Sequence, residues 1–328
     1  MLLEVNPNVF NEEELLPAAA ILQSGGLCAF PTETVYGLGA NAFDPVAVSN
    51  IFKAKGRPQD NPLIVHVADT SQLADICIIS PVAEKLIARF WGGPLTLILP
   101  KTSAVPEVVT AGLDTVAVRM PSHPVAHTLI RLAGVPVAAP SANLSGKPSP
   151  TRADHVVSDL DGRVDCIIAG GDCEWGVEST VLDLTVTPPA ILRPGAVTKE
   201  ELAEEIGEVI YGTGIGAPKS PGMKYTHYAP SAPVYIAEGP DALDKIYKAS
   251  ASYQKPGVLY YQTKQPDLPV SISAGNTPSE YAARLFYALR EFDKCGVDVI
   301  FAIPPEAGGM GDAVRNRLFK SAGFKTIE

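Results

Sequence analysis

Short apolar runs alternate with helix-forming stretches from about residue 13 to residue 184, and this alternation confines that part of the chain to an α/β fold. Leu27–Phe30, Leu63–Val67, Leu95–Leu99, Thr115–Met120, Val135–Ala139, Cys166–Gly171 and Thr180–Leu184 read as strands. Glu13–Leu22, Pro45–Lys53, Pro81–Phe90 and Val125–Leu132 read as the helices between them. Several connections are too short for a helical crossover, so the sheet is expected to be twisted and mixed in direction, with helices flanking it. Around residues 211–233 Gly, Pro, Ser and Thr dominate and the apolar period is lost, the texture of a linker. Beyond it, Val234–Ala237, Gly257–Tyr261 and Val297–Ile303 alternate with helical stretches from Pro240 and over Ser279–Lys294, a pattern that predicts a smaller, doubly wound, Rossmann-like α/β domain. The domains are therefore placed at 1–210 and 233–328, with a linker over 211–232.

The formal net charge of −10 disfavours broad nucleic-acid binding, which requires a basic surface to neutralise phosphates. No apolar run approaches the roughly 20 residues that span a bilayer, and Glu12, Glu13 and Glu14 stand where a secretory signal would be basic and then apolar, so no membrane association and a cytoplasmic setting are expected. Cys28, Cys77, Cys166, Cys173 and Cys295 lack the paired spacing of a zinc site or a redox dithiol. Gly212–Gly216 imitates a dinucleotide fingerprint without joining a strand to a helix, and His123 and His127 lack the glutamate of a zinc hydrolase. Asn143-Leu144-Ser145 is a glycosylation sequon only by accident in a chain without a signal peptide.

Lys53, Lys55 and Arg57 put three cations within five residues of an acidic chain, with Gly56 and Pro58 interrupting any helix through them. The stretch reads as an anion-binding loop. Asn61 and His66 follow it, Arg119 ends a strand, Ser141 and Asn143 follow another, Ser179 lies in a glycine-flanked loop, and Arg193 precedes Pro194-Gly195. In an open α/β sheet such positions converge on one crevice. Cations and neutral donors with few candidate bases suit a polyanion such as a nucleoside triphosphate, together with a carboxylate held by the planar fork of an arginine.

Phe30-Pro31-Thr32-Glu33-Thr34-Val35-Tyr36-Gly37-Leu38-Gly39, Lys53–Pro58 with Asn61-Pro62-Leu63 and His66, Pro140–Gly146, Glu178–Val181 and Leu192–Gly195 closely resemble the threonylcarbamoyl-AMP synthase family. Ser220–Pro230 resembles the long, two-domain form, and the resemblance spans nearly the whole chain. It implies a YrdC-like catalytic domain that condenses L-threonine, bicarbonate or carbon dioxide, and ATP into threonylcarbamoyl-AMP and pyrophosphate. It also implies that the product feeds a tRNA threonylcarbamoyl transferase complex, and that Mg2+ arrives with ATP without protein side-chain ligands or an organic cofactor. Residue by residue it places threonine against Thr34, His66, Arg119, Ala139 and Ser179. ATP is placed against Lys55, Arg57, Asn61, Thr115, Ser141, Asn143, Ser149, Arg193 and Tyr228, with Lys55, Arg57, Ser141 and Asn143 as the catalytic set. Met223, Lys224, Tyr225, His227 and Tyr228 are contact-prone residues for a spacer, so the linker is expected to close over the nucleotide. Two alternatives are, from a different class, an RNA-binding module of the same fold without activity, and a related carbamoyl-transfer enzyme. The second would need zinc-finger modules that the cysteine spacing excludes.

Overall fold

A computed structural model describes residues 1–212 and 227–328. It divides into two compact units, the first comprising 1–145, 150–174 and 178–212 of the described residues, the second 146–149, 175–177 and 227–328. Most of the expected linker over 211–232, including Met223, Lys224 and Tyr225, lies outside the described residues.

The first unit runs β1 (Leu2–Glu4), α1 (Leu16–Gln23), β2 (Cys28–Phe30), β3 (Gly37–Asn41), α2 (Pro45–Lys55), β4 (Ile64–His66), α3 (Pro81–Phe90), β5 (Leu95–Pro100), α4 (Glu107–Thr110), β6 (Thr115–Arg119), α5 (Pro124–Ala133), β7 (Val137–Ala138), α6 (Ala153–Leu160), β8 (Cys166–Ala169), β9 (Thr180–Asp183), β10 (Ala190–Arg193), α7 (Lys199–Ile206) and β11 (Ile210–Tyr211). Its strands form one 11-stranded sheet in the order β1-β8-β2-β3-β7-β4-β6-β5-β9-β10-β11. Pairing is mixed, as expected: β4 with β6 and β5 with β9 are parallel, whereas β5 with β6 and β4 with β7 are antiparallel. Apolar side chains fill both faces. Phe30, Leu22 and Leu129 cluster with α1 and α5, while Leu38, Ile51, Leu86 and Val118 cluster with α2 and α3.

Three details depart from expectation. The cationic stretch is not a loop throughout. Asp44 caps α2 by accepting the N–H groups of Val46 and Ala47, and Gly56, in the left-handed conformation, ends the helix one residue after Lys55. Lys53 and Lys55 thus occupy the last helical turn, where the dipole favours cations, and only Arg57 lies beyond it. Gly37–Asn41, absent from the expected strands, is a strand in which Gly39 lies where a Cβ would come within 2.7 Å of Phe30 and 2.6 Å of Val137. In the first unit helices α4, α6 and α7 and strands β1, β10 and β11 were also not expected.

The second unit contains β12 (Val234–Ile236), α8 (Ala242–Ser250), β13 (Pro256–Tyr260), β14 (Val270–Ser273), α9 (Pro278–Cys295), β15 (Val299–Ala302) and α10 (Met310–Ser321). Its four strands are all parallel in the order β12-β15-β13-β14. Ile246 of α8 packs with Val258, Val299 and Phe301, while Gly257, pointing the other way, leaves room for the ring of Phe292 in α9. Helices on both faces make it doubly wound. Among the described residues no helix is long and apolar enough to cross a membrane.

Gly195 marks the tightest backbone approach beside β9 and β10: a Cβ there would lie 2.3 Å from the Thr180 nitrogen and 2.7 Å from the Ser179 carbonyl carbon. Backbone cannot yield as a side-chain tip does. Gly195→Ala is expected to destabilise the first unit by about 1–3 kcal/mol, measured by denaturant unfolding, whereas Gly146→Ala, with open space around the position, strains only its own backbone.

Candidate active site

Arg119 closes β6 with only 3% exposure, so its charge has to be met by the protein. Nη2 donates to Oε1 of Glu33 at 2.6 Å, Nη1 to Oγ1 of Thr34 at 2.9 Å, and Nε to the Gly93 carbonyl at 3.3 Å. Thr32 shapes the turn that presents these partners: its Oγ1 accepts the N–H groups of Thr34 and Val35 and donates to the Val35 carbonyl. With that proton committed, the Thr34 hydroxyl donates to Thr32 across 2.9 Å and keeps its lone pairs for Arg119 and one further donor.

His66 stands opposite Arg119 in the parallel β4–β6 register. Burial, reinforced by the Arg119 charge, pushes its pKa down to about 3, so the imidazole is neutral at ordinary pH. On the other side, the pairing of Leu97 with Val118 brings Thr96 level with Arg119. Thr96 Oγ1 lies 2.8 Å from Ser179 Oγ, and Arg193 donates from Nη2 to that same oxygen at 3.1 Å and from Nε to the Ser179 carbonyl at 3.0 Å. Thr34, His66, Arg119 and Ser179 therefore gather at one end of the central strands. Arg193, expected against ATP, joins them there.

Ala139 lies only two residues from the level of His66, and the other first-unit residues extend from it towards the opposite end. Ala139, whose N–H donates to the Ile64 carbonyl at 2.9 Å, leads from β7 towards Ser141, which bridges to Gly37. Lys55, 4% exposed, donates from Nζ to the carbonyls of Ser141 and Asn143, the latter at 2.6 Å, and Ser141 Oγ donates to Asn143 Oδ1 at 2.6 Å. Its ammonium is thus engaged in holding the Ser141–Asn143 turn. Arg57, half-buried, sits over the Phe52 ring and donates to the carbonyl of buried Asn61 at 3.2 Å. The pairing of Ile64 with Ala117 puts Asn61 level with the start of β6, beside Thr115. At roughly 3.3 Å per residue, Thr115 is about 13 Å along the strand from Arg119.

Ser149 and Tyr228 belong to the second unit. Ser149 is buried, and the neighbouring Pro148 carbonyl accepts from Arg290 Nη2 at 2.6 Å. Tyr228, with φ +68°, stacks on Phe286 of α9 at a centroid distance of 5.0 Å.

Sequence reasoning overlooked Glu33, Thr96 and Thr32. A signal existed for Glu33, the only charge in the run Leu27–Asn41. Thr96 inside an apolar strand carries none. Among the described residues no group of three His, Cys, Asp or Glu side chains is arranged to hold a metal ion.

Residues 20–195 match the family model described as telomere recombination, and residues 197–323 match the one described as threonylcarbamoyl-AMP synthase, C-terminal domain. The threonylcarbamoyl-AMP synthase of Pyrococcus abyssi is 52% identical over 95% of this chain and 94% of its own length. That of Bacillus subtilis is 50% identical over 97% and 95%. The crystal structure of P. abyssi Sua5 complexed with L-threonine superimposes with a TM-score of 0.96 at 50% identity, covering 100% of this chain and 99% of that one. The chain belongs to the threonylcarbamoyl-AMP synthase family.

Proposed function

We propose that the two ends of the central strands are the two halves of one synthase site, with L-threonine at the Arg119 end and ATP at the Arg57 end. The activity is threonylcarbamoyl-AMP synthesis for tRNA modification, and the chain is an enzyme. The observation that carries the partition is the burial of Arg119 beside neutral His66 and the hydroxyls of Thr34 and Ser179, a set suited to a small hydroxylated carboxylate.

In this reading Arg119 takes the threonine carboxylate, and Thr34, Ser179, His66 and the Ala139 backbone surround the amine and hydroxyl. The amine captures carbon dioxide or bicarbonate as a carbamate, which attacks the α-phosphorus of ATP while pyrophosphate leaves. Arg57 stabilises charge moving onto the phosphates, and Asn61, Thr115, Ser141 and Asn143 hold the nucleotide. Lys55 acts at one remove, by keeping Ser141 and Asn143 in place. Arg193 orients Ser179 and supplies positive charge between the substrates. Mg2+ accompanying ATP would neutralise phosphate charge, carried by the nucleotide. Catalysis is assigned to residues 1–210, while Ser149, from the loop preceding α6, and Tyr228 are assigned to the nucleotide. The product passes to a tRNA threonylcarbamoyl transferase, a role that places the enzyme in the cytoplasm.

The direct test is incubation with L-threonine, bicarbonate and ATP, following pyrophosphate and the AMP-linked product, with serine and bicarbonate-free controls. Pyrophosphate release independent of threonine would overturn the reading. Arg119→Lys loses the fork and is expected to raise the threonine KM more than about tenfold, roughly 1.4 kcal/mol, leaving the ATP KM within about twofold.

Lys55→Ala and Arg57→Ala should both lower turnover more than about tenfold. They should differ in stability: removing Lys55 strands two carbonyls and costs about 1–3 kcal/mol, whereas half-buried Arg57 costs little, as thermal unfolding would read.

His66 adds a pH signature. Its folded pKa of about 3 lies below the ordinary 6.5, so between these values the unfolded chain binds a proton that the folded chain does not. The stabilisation is complete above pH 6.5 and is lost as pH falls towards 3, with a slope of up to about 1.4 kcal/mol per unit. Denaturant unfolding of the wild type and His66→Gln at several pH values should show a shallower acid slope in the variant.

A further inference from the structure

Glu33 is 4% exposed, and only one of its two carboxylate oxygens is used. Oε1 accepts from Arg119, but Oε2 is buried with no hydrogen-bond partner. A buried carboxylate oxygen left unpaired is costly, and anchoring Arg119 does not require it. The Thr32 turn holds Glu33 between two buried threonines whose hydroxyls bond each other, so the carboxylate is carried on a fixed turn. Its charge is felt by the neighbours packed around it: it opposes the burial that lowers the pKa of His123, and it adds to the burial that raises that of Cys173.

At this end of the strands Glu33 stands among cations. Arg119 and Arg193 are cations, and His66 is neutral. Ser179 Oγ already accepts from Arg193. An α-amino acid arrives as a zwitterion, and its ammonium would be repelled by both arginines unless an anion receives it. Arg119, with three of its five N–H groups engaged by Glu33, Thr34 and Gly93, keeps two for a carboxylate. Side by side, the guanidinium and the carboxylate present plus and minus in the arrangement that complements an amino acid's minus and plus.

We propose that Glu33 binds the α-ammonium of L-threonine through Oε2 and is thereby the residue that selects an amino acid over the corresponding hydroxy acid. The inference rests on the assignment of the Arg119 end to threonine. Glu33→Gln separates it from a purely anchoring role, because the amide oxygen still accepts from Arg119 while the negative charge is gone.

The experiment is calorimetric titration of the full chain, wild type and Glu33→Gln, with L-threonine and with (R)-3-hydroxybutanoate, which keeps the carboxylate, hydroxyl and methyl and lacks only the ammonium. The expected result is a loss of threonine affinity of about 30-fold or more in Glu33→Gln, with hydroxybutanoate changed by less than about threefold. An equal loss of both ligands, which would mean that Glu33 serves only to hold Arg119, or an unchanged threonine affinity, would overturn the proposal. Should Glu33→Gln fail to fold, the wild type alone decides: threonine binding about 30-fold or more tighter than hydroxybutanoate supports the ammonium contact, and equal binding overturns it. A wild type that binds neither ligand overturns the assignment of threonine to this end, a failure distinct from that of Glu33 and seen before any variant is made.

Discussion

The buried ion pair between Arg119 and Glu33 is the constraint around which the first unit is arranged. A guanidinium at the end of a strand deep in a sheet is tolerable only with a carboxylate and further acceptors in contact, and losing one partner costs several kcal/mol. Glu33 and Thr34 come from the turn after β2, the Gly93 carbonyl from the turn before β5, and Arg119 itself from β6. Three separate parts of the chain must therefore be in register before the charge is satisfied. The same register levels His66 and Thr96 with the guanidinium.

Short strands set the scale of the site. β4 and β7 have three and two residues, so groups at their two ends stay within the reach of a single bound molecule or of two reacting ones. At one end the chain supplies a carboxylate and neutral acceptors around a fixed cation; at the other, Lys55 ties down Ser141 and Asn143 while Arg57 stays half-exposed. The division of labour between two similar cations follows from burial. A lysine enclosed by carbonyls becomes a structural fastener, whereas an arginine lying half-exposed over an aromatic ring stays at the surface.

Close backbone approach is the other recurrent requirement. Gly39 admits the Phe30 and Val137 side chains, Gly195 lets the segment after β10 lie on the Ser179 backbone, and in the second unit Gly257 admits Phe292. Each glycine is used for the volume it lacks. The second unit, with its own parallel sheet and its own two-faced core, also contains the 146–149 and 175–177 segments, so contact rather than chain order draws its boundary.

Sequence alone determined the α/β class, the mixed first sheet, the doubly wound second unit, most strands, and the motifs that resemble the synthase family. Apolar periodicity and glycine, proline and hydroxyl spacing are local signals, and these features are written in them. It did not reveal β3, whose glycines carry no strand preference, nor α7 and α10, whose polar faces dilute the helical period. It ended α2 at Lys53 and placed Lys55 on the loop, because the capping that carries α2 to Gly56 depends on where the helix packs. Only the tertiary structure decided that Lys55 fastens a turn, that Arg193 meets Ser179, and that Glu33 stands against Arg119 with one oxygen left over. Those are contacts between residues some 14 to 88 positions apart, and pairing over such distances is set by strand register and burial, which no local pattern encodes.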